Sequence, residues 1–154
     1  MEVIMETKKS EISQSEWEVM RVIWTLGGVS SHLLTQILAE KMNWKAATTK
    51  TFLGRLVKKG ALQTEKHGRE FFYTATIPEQ SAMDETVQAL FDHLCQMKVG
   101  TTIDHLLQHV TLSKTDIGTL QNQLTSMMAT APDQVDCNCL PADCNEMEMS
   151  PLGN

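Results

Sequence analysis

The sequence predicts a mainly α protein: an N-terminal winged helix-turn-helix, made of three helices plus a β-hairpin wing, followed by a helical dimerisation region. Three observations predict it. Apolar residues recur at helical spacing in three short segments before residue 60. A strand, turn and strand pattern follows at once. Helical stripes then continue past residue 80 while the aromatics stop, since all eight lie before residue 92 and seven of them before residue 80. We therefore expect a compact domain over 1–78, a helical dimerisation domain over 79–130, and a disordered, acidic, cysteine-containing tail over 131–154.

Each element has its own warrant. Ser13-Gln-Ser-Glu16 and Ser15-Glu-Trp-Glu18 both have capping-box form, and Trp17, Met20, Ile23 and Trp24 repeat at helical spacing until Gly27-Gly28 stops the first helix. A second helix begins at Ser30 or Ser31, buries Leu34, Ile37 and Leu38, and ends near Asn43. The third runs from about Ala46 to Lys59, with Phe52, Leu53, Leu56 and Val57 toward the core and Gly60 at the C-terminal cap. Short connections between the three fit a helix-turn-helix core. Leu62 to Lys66 and Glu70 to Thr76 then read as strands, with Lys66-His67-Gly68-Arg69 as the hairpin turn. In the second part, Met83, Val87, Leu90, Phe91, Leu94 and Met97 form one stripe, and Ile103, Leu106, Leu107 and Val110 another. Ile117, Leu120, Leu124 and Met127 form a third, capped by Ser113-Lys-Thr-Asp116. These stripes are too short for a large core of their own, so they are read as a module that buries its apolar faces against a second copy.

Net charge conceals a division. The whole chain carries −6, but residues 1–79 hold 11 basic and 9 acidic residues, whereas 80–154 hold 2 and 10. Within the first part, Lys41 to Arg69 contains eight basic residues against Glu65 alone. That concentration coincides with the third helix and the wing turn. Lys45, Thr48, Thr49, Lys50 and Thr51 lie early on the third helix, opposite the Phe52/Leu56 stripe or beside it, and Arg55 belongs to the same basic stretch. Such a helix enters the major groove with its N-terminal residues leading, and Lys, Thr and Arg suit both base edges and phosphates. Lys66, His67 and Arg69 at the hairpin tip are placed to hold the flanking backbone. The expected partner is double-stranded DNA.

Trp17-Glu-Val-Met-Arg-Val-Ile-Trp24, the block Lys45-Ala-Ala-Thr-Thr-Lys-Thr-Phe-Leu-Gly-Arg-Leu-Val-Lys-Lys-Gly-Ala-Leu62, and Gly68-Arg-Glu-Phe-Phe-Tyr73 together resemble the winged-helix repressors of the BlaI/MecI/CopY family, over roughly residues 12–130. The resemblance implies a homodimer on a pseudo-palindromic operator, with the positions of Ala47, Thr48, Lys50 and Thr51 facing the DNA. Ala47 is short where relatives can carry a longer polar group.

The tail adds a second chemistry. Cys137, Cys139 and Cys144 put three thiols within eight residues of an acidic segment that has no Lys or Arg from Ala129 onward. Thiolates suit Cu(I) and Zn2+, and in a reducing compartment clustered thiols are more often metal ligands than disulfides. The copper-responsive CopY-like branch carries Cys-x-Cys, four residues, then Cys-x-Cys; here Glu146 stands at the fourth position. Three thiolates suffice for Cu(I), while a closed zinc site needs four ligands, so zinc requires Glu146, Asp136, water or a partner sulfur in addition. Cys95 reads as a small core residue in the stripe of the fourth helix. His105 and His109, spaced i, i+4, read as solvated polar positions.

The expectation is thus a cytoplasmic, dimeric repressor that Cu(I) releases from DNA, with Zn2+ in the tail of the DNA-bound form. The alternatives are a β-lactam-responsive repressor inactivated by proteolysis, which has no use for the cysteines, and a metal-buffering protein, which has no use for the basic helix. No apolar run is long enough to span a bilayer or to form a signal-peptide core. No phosphate-cradling loop, nucleophile elbow or His-Glu-x-x-His run offers an enzymatic site.

Overall fold

The computed structural model describes residues 11–141. Its elements run α1 (Gln14–Leu26), β1 (Val29–Ser30), α2 (Ser31–Met42), α3 (Ala46–Lys58), β2 (Leu62–His67), β3 (Glu70–Ala75), α4 (Glu79–Phe91), α5 (Val99–Leu107) and α6 (Lys114–Met128). They fall into two compact units that divide within α4, after Val87.

The first unit is a winged helix. Of the two overlapping capping boxes, the one at Ser13 forms: its hydroxyl accepts from the Glu16 N–H at 3.2 Å, and the Glu16 carboxylate accepts from the Ser13 N–H at 3.2 Å. Gly27, at φ 77, ends α1. Gly28 is held at φ 151, where a Cβ would sit 2.7 Å from the Phe72 ring, so only glycine lets the chain pass β3 here. Ser30 caps α2 by accepting from the Leu33 N–H, and Asn43 closes it in the left-handed region at φ 57.

Val19, Met20 and Ile23 of α1, Leu34 and Leu38 of α2, and Leu53 and Leu56 of α3 are buried together with Val29 and Leu62. Full burial of each such leucine contributes about 1.5–3 kcal/mol. Two long-range bonds tie the ends of the helices to this core. The Trp24 Nε1–H donates to the Ile77 carbonyl at 2.9 Å, and the Lys59 ammonium reaches the buried Glu16 carboxylate at 2.6 Å.

The hairpin pairs Leu62 with Ala75 through His67 with Glu70, leaving Gly68-Arg69 as a two-residue turn. Gly68, at φ 64, takes the first turn position, as a type II′ hairpin requires. β3 is the central strand of a three-stranded antiparallel sheet in the order β1-β3-β2, with Val29 opposite Tyr73 and Ser30 opposite Phe72. Two residues are too few for a period, so β1 left no pattern to read in the sequence.

The second unit corrects one expectation. The stripe from Met83 to Met97 is not one helix: α4 ends at Phe91, turns follow, and α5 starts at Val99. Cys95 therefore lies in the connection between two helices and not on a helical apolar face. Ser113 caps α6 with the capping box expected of it, its hydroxyl accepting from the Asp116 N–H. Residues 131–141 form neither helix nor strand. Cys144 and Glu146 lie outside the described residues.

Candidate nucleic-acid interface and thiol cluster

At about 100° per residue, α3 has two unlike sides. Thr49, Leu53 and Leu56 fall on one and are buried, with Phe52 and Val57 half-buried beside them. Ala47, Lys50, Thr51, Gly54, Arg55 and Lys58 fall on the other and are all exposed, while Thr48 lies half-buried at the margin. Thr49 is thus corrected from a DNA contact to a core residue: it sits one turn before Leu53 and two before Leu56 on the same stripe, and it is 0% exposed. Its hydroxyl has no hydrogen-bond partner among the described residues. The Thr51 hydroxyl donates back to the Ala47 carbonyl at 3.0 Å.

Gly54 and Lys58 share the outer face, and the sequence reading passed over them. Counting i, i+4, i+7 and i+11 from Ala47 would have found both. Lys45 occupies the N-cap position of α3, which receives no side-chain cap bond, unlike the serine-capped α1, α2 and α6. A lysine there puts positive charge beside the N–H groups of the first turn, and both attract a phosphate.

Ion pairing divides the basic residues into two groups. Lys41 lies 2.8 Å from Glu18, and Lys59 is held by Glu16. The Lys41 ammonium beside it, helped by Arg21, holds the Glu18 carboxyl below the usual carboxylate range against the opposing effect of burial. These two lysines bind helices to one another. Lys45, Lys50, Arg55, Lys58, Lys66 and Arg69 make no ion pair among the described residues. Arg55 lies over the Phe52 ring, 5.7 Å from its centroid, and Lys66 lies 6.0 Å from that of Phe71. His67 stacks on Phe72 and lies 3.1 Å from Glu65, so its ring is held at the wing. An exposed helix face with four cations along or beside it, followed by a wing with two more, is arranged to meet a polyanion.

The second site lies in the helical unit. The sulfurs of Cys95, Cys137 and Cys139 all lie within 4.8 Å of one another, with Cys95 and Cys137 3.7 Å apart. The sequence places Cys137 and Cys139 together, but Cys95 joins them from 42 residues away. Chain direction brings it there: the Gln96 N–H donates to Asn138 Oδ1 at 3.1 Å, and the Gln96 amide donates to the Asp136 carbonyl at 2.9 Å. A hydrogen bond from Cys139, with backbone N–H groups including that of Met97, lowers the Cys95 thiol from the ordinary cysteine value. Cys139 is pushed up to about 11 by its bonds to Cys137 and Cys95. Three sulfurs this close together form a donor set that a thiophilic cation can bind by displacing thiol protons. His105 and His109 are exposed and outside it.

The family model described as penicillinase repressor matches residues 12–126. An uncharacterized 16.5 kDa protein in the ptsI 3′ region of Latilactobacillus sakei is 53% identical over 141 residues, covering 92% of this chain and 97% of that protein. The penicillinase repressor of Bacillus licheniformis is 31% identical over 113 residues, covering 73% of this chain and 88% of that protein. Among solved structures, the DNA-binding domain of the repressor BlaI is 42% identical, covers 47% of this chain and 88% of that one, and superposes with a TM-score of 0.45. With the family match running from the first helix of the winged unit into α6, the chain belongs to the penicillinase repressor family of DNA-binding transcriptional repressors, which are not enzymes.

Proposed function

We propose that the protein is a cytoplasmic, copper-responsive repressor that binds a pseudo-palindromic operator as a homodimer and leaves it when Cu(I) occupies its C-terminal thiols. The observation that carries this reading is the crowding of Cys137 and Cys139, with a third sulfur beside them, in a family of transcriptional repressors. Soft thiolates select Cu(I) and Zn2+ over hard cations, so the donor set fits. Cu(I) is satisfied by the sulfurs present, whereas Zn2+ in the DNA-bound form needs a fourth ligand, for which Glu146 remains a candidate.

On the DNA side, α3 presents Ala47, Lys50 and Thr51 to the major groove, with Thr48 at the margin of that face. Lys45, Arg55, Lys66 and Arg69 bind phosphates on either side. Two copies reach half-sites about one helical turn apart. Exposed Ile103, Leu106, Ile117, Leu120 and Leu124, each at least 41% exposed in the single chain, supply the apolar surface for a second copy. Because binding is reciprocal, copper that weakens operator affinity must itself be bound more weakly by the DNA complex, by the same factor.

The test is a gel shift on an operator fragment with and without Cu(I), under a thiol-free reductant. The expected result is release by stoichiometric Cu(I), and unchanged operator affinity sinks the reading. The 31% identity to a penicillinase repressor favours a second one, a β-lactam-responsive repressor inactivated by proteolysis. Deleting residues 132–154 separates the two: the copper response is lost, whereas induction by cleavage persists.

A further inference from the structure

The cysteine spacing of the tail directs attention to Cys144, which lies outside the described residues; among those residues the fold brings a different sulfur to Cys137 and Cys139. We infer that Cys95, in the α4–α5 connection, completes a three-thiolate Cu(I) site with Cys137 and Cys139, so that copper fastens the C-terminal segment to the end of α4. This rests on the copper reading above and changes its ligand set.

Two independent observations carry it. The first is the separation of the sulfurs. An ion about 2.3 Å from each of three coplanar sulfurs needs them about 4 Å apart. The three sulfurs already lie within 4.8 Å of one another, and the Cys95–Cys137 distance is 3.7 Å. Little movement is needed to close the site.

The second is a clasp that contains no sulfur. Gln96 binds the C-terminal segment twice, through its backbone N–H to the Asn138 side chain and through its side-chain amide to the Asp136 carbonyl. Asn138 stands between the two tail cysteines, and Gln96 follows Cys95 directly. The clasp therefore sets the thiols in register before any ion arrives, which lowers the ordering cost of binding. The Cys139 N–H points at the Cys137 sulfur at 3.5 Å and is suited to stabilise a thiolate there. Cys95 is partly exposed and Cys137 and Cys139 are exposed, so an ion has access.

A site built only from the tail would coordinate copper without touching the helical unit. A site that includes Cys95 closes a loop of 42 residues and immobilises the connection that follows α4, giving the tail a covalent route to the helix leading out of the winged unit.

The reduced full-length protein is titrated with Cu(I) against a bicinchoninate competitor, and cysteine alkylation by iodoacetamide is read by peptide mass spectrometry with and without one equivalent of Cu(I). In the wild type, copper protects Cys95, Cys137 and Cys139 together. Cys95→Ser weakens Cu(I) binding by more than roughly tenfold, a loss that even an outer-shell partner can cause. Cys144→Ser stays near the wild-type affinity. The inference is overturned if Cys95 alkylates equally fast with and without copper, or if Cys95→Ser binds as the wild type does while Cys144→Ser does not. Protection of Cys95 without operator release refutes the repressor switch and leaves the site standing. Operator release with Cys95 unprotected does the reverse.

Discussion

Thr49 shows how an extra polar residue inside a basic run misleads. In sequence it is one of two threonines between Lys45 and Lys50, and charge alone places it with its neighbours. The helical phase places it one turn before Leu53 and on the core side, fully buried and with an unpaired hydroxyl among the described residues. A buried hydroxyl without a partner costs about 1–3 kcal/mol. Thr49→Val keeps the shape and removes that cost, so thermal or urea unfolding should show a gain of about 1 kcal/mol. Operator affinity should not change, and a loss of binding would return Thr49 to the interface. Gly54 is the complementary case. Glycine in a helix interior costs about 1 kcal/mol relative to alanine, and no atom lies within 4 Å of where its Cβ would be. Gly54→Ala should therefore stabilise the folded chain by up to about 1 kcal/mol. On the outer face of α3 the added methyl meets DNA, and operator affinity should fall by about tenfold, ~1.4 kcal/mol. Titration by fluorescence anisotropy beside a melt separates the two effects.

At the scale of elements, most of the winged unit was legible in the sequence because local chemistry and tertiary position agree there. Ser13 and Ser30 begin helices, Gly60 and Asn43 end them, and Gly68 opens the hairpin, each for a reason that operates within a few residues. What the sequence did not disclose needed long-range placement. β1 exists only because β3 lies beside it. Cys95 meets Cys137 only because α4 stops at Phe91, although the apolar spacing runs on unbroken through Leu94 to Met97. The division of the lysines is likewise tertiary, since Lys41 and Lys59 answer carboxylates on α1. The Glu18–Lys41 pair makes this measurable through pH. The folded Glu18 carboxyl titrates below its ordinary value, chiefly because of the Lys41 ammonium paired with it. Its contribution is therefore present above the unfolded value and lost as pH falls through the folded one. Lys41→Ala should be less stable than the wild type at neutral pH, and the gap should close in acid. A gap independent of pH would mean the lysine acts through its aliphatic stem alone.

At the scale of the whole molecule, charge and apolar surface are distributed to different units. The winged unit buries its core and keeps its cations outside. The helical unit leaves Leu120 at 41% and Leu124 at 59% exposed, on the helix that the Ser113 capping box begins. Those side chains become useful only against another surface, and in the proposed dimer a second copy would supply one that repeats the pattern. Leu120→Asp with Leu124→Asp puts two charges on each side of that contact, so sedimentation should show a monomer. The winged unit should melt as before, because its core is made by Val19, Leu34, Leu53 and their neighbours. Operator binding then loses the bivalent advantage, worth 10²–10⁴-fold in linked systems, so a drop of roughly a hundredfold is expected. The salt dependence supplies an independent check. If about four cations per subunit meet phosphates, the slope of log affinity against log salt should be roughly −7 for the dimer and about half that for the variant. A variant that is monomeric yet keeps the steep slope would place the phosphate contacts of both half-sites on one subunit, which the single outer face of α3 and its one wing cannot reach.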